Sequence, residues 1–146
     1  LAINDSIIGT DLAQEGIELV RNVRDNDYAA GNNGFTLFST ANKHCRIDWN
    51  DADTSLDCTA SPATVNPQRY YLDYVGSPGL YQHTGTQGRY SRYIYIDYDT
   101  NGGEHALVRS FVYWGGAAVP PANGDPTTCK ASTTCVYTEA FLTHWR

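Results

Sequence analysis

The first 27 residues carry apolar side chains at the spacing of an amphipathic α-helix. Successive apolar positions lie three, four or seven residues apart, which places them on one helical face: Leu1, Ile8, Leu12, Gly16, Leu19 and Val23. Ile7 and Val20 widen this stripe, and Gly31 follows as a stop signal. The pattern predicts a helix over residues 1–27 that packs through this stripe.

Beyond residue 34 the apolar period changes to alternation, which is the period of a β-strand. In residues 89–99, Tyr93 and Tyr95 fall on one side, and Ile94 and Ile96 fall on the other. Strand-like patterns also occur in four further segments: 69–75, 79–84, 106–114 and 134–145. Residues Gly34–Ser39 are predicted to form a turn followed by a short strand.

The turn signals between these segments predict antiparallel pairing. Asn101-Gly102 separates 89–99 from 106–114 and is a strong hairpin signal. One helix followed by such strands predicts an α+β fold, with the helix packed on an antiparallel sheet. We therefore expect a single domain over residues 1–146, with a helix over 1–27 and a β-rich head over 34–146.

Composition supports a folded chain and argues against nucleic acid as its main partner. The 146 residues are 41% hydrophobic, enough for a substantial core. The formal net charge is −6, and Lys43 and Lys130 are the only lysines. Phosphate neutralisation requires clustered basic residues, whereas the basic residues here are scattered. No segment has the apolar length of a transmembrane helix.

The four cysteines predict two disulfides and an oxidising compartment: Cys45, Cys58, Cys129 and Cys135. Three pairings are formally open, and we favour pairing of neighbours because each bond would then close one surface loop. Zinc ligands are usually two to four residues apart, which neither pair is. Free buried thiols are the remaining alternative.

Residues 12–27, LAQEGIELVRNVRDND, resemble the end of the long N-terminal helix in type IV pilin-like proteins of the bacterial minor-pilin or pilus-modification group. That group reads A-x-E-G-I-E-x-V-R-N-x-R-D, and the matching residues here are Ala13, Glu15, Gly16, Ile17, Glu18, Val20, Arg21, Asn22, Arg24 and Asp25. Later matches follow in the family's order: the cysteine pair Cys45 and Cys58, then Arg92, Ile94 and Ile96, then Val112 and Trp114, then Leu142, Thr143, Trp145 and Arg146.

This resemblance implies a structural subunit, major or minor, of an extracellular type IV pilus-like filament that serves adhesion, motility or DNA uptake. Its implied partners are other pilin subunits and the assembly machinery in the membrane, with a surface glycan or host-cell ligand as a further partner. The implied subunit interface lies on the helix: Leu12, Glu15, Glu18, Leu19, Arg21 and Arg24. The family's apolar first helical half is expected upstream of Leu1, and the Cys129–Cys135 pair is not expected throughout the family.

Residues 34–38, GFTLF, look like the family's prepilin cleavage peptide but are interpreted as an accident. The peptide requires a glutamate where Phe38 stands, and the following residues are too polar to enter a bilayer.

Two further sites are open to interpretation. Asp97, Asp99, Asn101 and Glu104 resemble calcium ligands, although Val108 stands where an EF-hand needs its bidentate glutamate. A solvated hairpin turn is the simpler interpretation, and the same holds for the acidic run 48–53. The tyrosines at 93 and 95 suit either sheet packing or an exposed face that binds a surface ligand, with Tyr71 or Tyr81 beside them.

No pattern predicts an enzyme or a cofactor. The four histidines lack a Gly-x-Ser-x-Gly element, no phosphate-binding glycine loop is present, and the carboxylates form no fixed catalytic pair. The alternative to a filament subunit is a stand-alone secreted carbohydrate-binding or adhesive module that does not polymerise.

Overall fold

The computed structural model describes residues 2–38, 42–50, 56–61, 66–76, 80–115 and 124–144. Its elements, in chain order, are helix α1 (Ala2–Ala29) and strands β1 (His44–Arg46), β2 (Asp57–Thr59), β3 (Tyr71–Val75), β4 (Leu80–Gln82), β5 (Tyr90–Asp99), β6 (His105–Trp114) and β7 (Cys135–Thr143). One helix thus packs on an antiparallel sheet, which confirms the predicted α+β class. Trp145 and Arg146, which entered the family resemblance, lie outside the described residues.

The strands form one sheet built on the central hairpin. All ten residues of β5 pair with β6, from Tyr90 opposite Trp114 to Asp99 opposite His105, and β7 continues the sheet beyond β6. The other side of β5 is shared, because β1 pairs with its later half and β3 with its first two residues. Strands β2 and β4 extend these two branches. The hairpins predicted at 89–114 and 69–84 are both confirmed.

Helix α1 ends two residues later than predicted, and Asp27 organises the chain that follows. Its carboxylate accepts hydrogen bonds from the backbone amides of Gly34 at 2.9 Å and Thr36 at 3.1 Å, and from the side chain of Asn32. Desolvation would raise the pKa of Asp27, but these hydrogen bonds outweigh it and hold the pKa below its usual value. The expected strand at 34–39 is wrong, since residues 34–38 form a turn whose two phenylalanines are buried.

The buried face of α1 departs from the predicted stripe near the start of the helix. Ile7 is 57% exposed and Ile8 is 37% exposed, whereas Ala13 and Ile17 are buried. The rest of the stripe is confirmed, because four of its members are buried: Leu12, Gly16, Val20 and Val23. A Cβ at Gly16 would lie 2.5 Å from Oγ of Ser110, so the helix backbone meets the sheet at a distance that a side chain would prevent. The helix therefore packs through most of the predicted stripe, and only the isoleucines near its start face away from the sheet.

Apolar cores lie on both faces of the sheet. Ile94, Ile96 and Val108 pack beneath the helix. The opposite face buries a second cluster: Tyr70, Tyr93, Phe111, Tyr113, Cys129 and Cys135. The sheet is therefore covered on both sides along its centre. Residues on the face away from the helix can be buried as well.

The cysteines pair as neighbours, which confirms the favoured connectivity. The Cys45–Cys58 disulfide joins β1 to β2 at directly paired positions, with the two Cα atoms 4.0 Å apart. The Cys129–Cys135 disulfide closes a short loop next to the second core. No cysteine remains free.

Candidate functional site

A buried arginine joins the helix to the sheet. Arg92 on β5 has no exposed surface, and its Nη1 donates to the Leu12 carbonyl at 3.0 Å and to Oε1 of Glu15 at 2.6 Å. Its Nη2 donates to the Ile47 carbonyl at 2.8 Å. A buried charge is costly unless it is paired and hydrogen-bonded, so this arginine holds three segments in one arrangement.

A histidine–aspartate pair lies next to Arg92 in the interior of the fold. Oδ1 of Asp48 lies 2.6 Å from Nδ1 of His83 and accepts a hydrogen bond from the His83 backbone amide at 3.0 Å. Nε2 of His83 lies 3.3 Å from the Arg92 carbonyl. Desolvation would raise the pKa of Asp48, but contact with His83 and the charge of Arg92 lower it overall. These groups contact one another rather than an open cleft, which suits a structural role.

The start of the helix is held by a second ion pair that the sequence analysis missed. Arg89 contacts both carboxylate oxygens of Asp5, at 2.8 and 2.5 Å, and the Tyr90 hydroxyl donates to Asp5 at 2.8 Å. The hydrogen bond from Arg89 is the main cause that lowers the pKa of Asp5 to about 2. Burial, followed by the bond to Asp5, raises the pKa of Tyr90 to about 12.

The predicted subunit-interface residues separate into two groups. Leu12 and Arg24 are buried against the chain's own fold, Glu15 binds Arg92, and Leu19 is half-buried. Glu18 and Arg21 lie on the outer face and pair with each other at 2.6 Å, with side-chain exposures of 64% and 41%. Leu12 and Arg24 are buried within the chain, so their side chains offer little surface to a neighbour. The subunit contact itself stays a prediction.

Of the two interpretations of Tyr93 and Tyr95, sheet packing holds for Tyr93, and an exposed ligand-binding face does not. Tyr93 has no exposed surface, its ring packs between Tyr70 and Phe111, and its hydroxyl lies 2.6 Å from Nδ1 of His44. Desolvation raises the pKa of Tyr93 far above its usual value. Tyr95 is half-buried beside the same cluster. The alternation was predicted correctly, but the second core covers the face that it produced.

The four calcium candidates do not converge on one site. Asp97 pairs with Lys43 at 2.9 Å, and Asp99 accepts a hydrogen bond from the backbone amide of Asn101. Glu104 accepts hydrogen bonds from Asn33 and Tyr98. Within the described ranges, no three His, Cys, Asp or Glu side chains gather as a metal site would require. In the acidic run 48–53, Asp48 binds His83 and residues 51–53 lie outside the described residues.

Comparisons with protein-family models, curated proteins and solved structures found no match to this chain. Among the described residues, no helix is both long enough and apolar enough to cross a membrane.

Proposed function

We propose that this chain is a structural subunit of an extracellular type IV pilus-like filament. The proposal starts from the resemblance of residues 12–27 to the pilin-like helix. That stretch lies in a 28-residue helix packed on an antiparallel sheet.

The observation that carries the proposal is that motif residues from distant parts of the sequence meet in space. Glu15 of the helical motif binds Arg92 of the R-x-I-x-I strand. Gly16 of the same motif lies against Ile94 of that strand, because a Cβ there would come within 2.7 Å of Ile94 Cδ1. Residues that were matched only by order along the chain thus form one helix–sheet contact, as expected if the motif encodes this packing.

The outer face of the helix offers a surface for neighbouring subunits. Ile7 and Ile8 are exposed near its start, and the Glu18–Arg21 pair lies on its outer face further along. A head-to-tail contact that does not close on itself generates an open helical polymer. Such a contact between subunits uses exposed apolar residues and exposed ion pairs, and the outer face of the helix carries both.

The test is to shear surface filaments from the native cells and identify the N-terminal peptide of this protein by mass spectrometry. Recovery in the filament fraction, with an apolar segment preceding Leu1, is the expected result. Recovery as a free protein in the medium, with no filament association, would overturn the proposal and favour the secreted binding module.

A further inference from the structure

We infer that a polar cleft beyond the end of α1 is a binding site for a neutral saccharide. Two adjoining clefts, of about 540 and 560 Å³, are both lined by His144, and we call them together the distal cleft. Both are open to solvent, so a ligand would bind at the protein surface and stay partly exposed. This inference is independent of the filament proposal, because one chain supplies the whole cleft.

The cleft is built where three parts of the fold meet. The end of α1 and the turn after it contribute Tyr28 and Asn32, the β5–β6 turn contributes Asn101, and the end of β7 contributes Phe141. Asn33 joins two of these parts, since its side chain donates to both Glu104 carboxylate oxygens at 2.9 and 3.0 Å. The backbone amide of His144 donates to the Glu104 carbonyl. The walls are therefore tied together by hydrogen bonds within the chain.

The lining chemistry selects the class of ligand. Among the described residues that line the cleft, Glu104 is the one acidic group and none is lysine or arginine. That composition disfavours phosphate and other strong anions, which need basic partners. Side-chain amides and hydroxyls predominate instead. The amide nitrogens of Asn32 and Asn33 donate within the chain, which leaves Thr100, Asn101 and Thr143 to offer donors and acceptors to a ligand. A ligand rich in uncharged hydroxyl groups matches such a lining.

Phe141 supplies the apolar part of the recognition. It is 61% exposed although it lies on a strand, and its ring centroid is 5.2 Å from that of His105. An exposed aromatic face beside amide groups suits a sugar ring, which presents C–H groups on its faces and hydroxyls at its edges. Tyr93, the other aromatic residue considered for a surface ligand, is buried and does not reach one. The distal cleft provides the aromatic and polar groups that such a ligand needs.

The site is tested by binding the purified chain to immobilised neutral oligosaccharides that end in glucose, galactose or N-acetylhexosamine, followed by titration calorimetry with the best binder. We expect Phe141→Ala and His144→Ala each to weaken binding about tenfold or more, as loss of an interface anchor does. Phe141→Trp should retain binding, because an aromatic face remains. The matched control is Tyr74→Ala, since Tyr74 is 59% exposed on β3 and does not line the cleft.

Circular dichroism of each variant separates loss of binding from loss of fold. The inference would be overturned if the native chain bound none of the oligosaccharides. It would also be overturned if the native chain and Phe141→Ala bound them equally well. A loss in Tyr74→Ala equal to that in Phe141→Ala would also overturn it. Filament assembly is read separately, because neither Glu18 nor Arg21, the ion pair of the proposed subunit contact, lines the distal cleft.

Discussion

The carboxylate of Glu15 accepts a 2.6 Å hydrogen bond from the guanidinium of Arg92, a residue with no exposed surface. Glu15 is one-third exposed at its side chain, so this contact joins the solvent edge of the helix to the centre of the sheet. It also accounts for a charged residue on the side of β5 that otherwise carries Ile94 and Ile96. The helix is thus fixed on the sheet by a specific polar contact as well as by apolar packing.

Glu15→Ala should lower the free energy of unfolding by about 3 kcal/mol, because it leaves a buried cation without its carboxylate. Glu15→Gln keeps an acceptor and should cost less, about 1 kcal/mol. Urea unfolding measures both variants, and adding Arg92→Leu to Glu15→Ala should recover part of the loss. Unchanged stability in Glu15→Ala would show that the contact contributes nothing to the fold.

Gly16→Ala should destabilise the fold by about 1–3 kcal/mol, although alanine favours a helix by about 1 kcal/mol over glycine. The new Cβ would lie 2.5 Å from Ser110 Oγ, so the helix must move away from the sheet. Gly9→Ala is the matched control, because its Cβ would meet Trp114 and Val136 at the looser distance of 3.1 Å. Thermal unfolding of both variants measures the two effects. A higher melting temperature for Gly16→Ala than for the native chain would refute the close approach of helix and sheet.

The Asp5–Arg89 pair should make stability depend on pH in the acid range. The pKa of Asp5 falls from its usual 3.8 to about 2 on folding, so the unfolded state binds the proton more readily. The contribution is complete above about pH 4 and is lost as pH falls towards 2. Urea midpoints between pH 5 and pH 2 should therefore fall less steeply in Asp5→Asn than in the native chain. Asp11→Asn removes an exposed helix carboxylate as the control, and equal slopes in native and Asp5→Asn proteins would contradict this assignment.

Loss of the two disulfides should have unequal effects. Cys45 and Cys58 are 13 residues apart, and Cys129 and Cys135 are 6 apart. In the chain-entropy model, replacing Cys45 and Cys58 with alanine lowers the free energy of unfolding by about 3 kcal/mol. Replacing Cys129 and Cys135 lowers it by about 2 kcal/mol. The second replacement should also loosen the buried tyrosine cluster, which near-ultraviolet circular dichroism detects. A native tyrosine signal in Cys129→Ala/Cys135→Ala would show that this cluster does not need the bond.

Charge reversal at Arg21 tests the proposed subunit contact. Arg21→Glu should reduce filament yield several-fold while leaving the isolated chain folded, because an exposed helical ion pair contributes only about 0.3–0.5 kcal/mol to stability. Asn22→Glu is the control, since it adds a negative charge at the next exposed position. Normal yield with Arg21→Glu would remove this face from the contact.

Local sequence patterns were sufficient to predict the elements and several of their pairings. The helical period located α1 to within two residues at its end, and alternation with Asn101-Gly102 predicted the β5–β6 hairpin. Neighbour pairing of the cysteines was also predicted, because each bond spans only a short segment. These features depend mainly on residues that are close together in the chain, so a single sequence carries their signal.

Tertiary structure alone decided which faces are buried and what surrounds the polar groups. A helical period does not say whether Ile7 and Ile8 meet the sheet, since that depends on the shape of a surface formed by later residues. Strand alternation likewise separates Tyr93 from Ile94 without saying that residues near 70 and 129–135 cover the tyrosine. The sequence by itself determined the periodicity of each helix and strand. Which side chains are buried was decided by long-range packing, because burial depends on contacts between segments that are far apart in the chain.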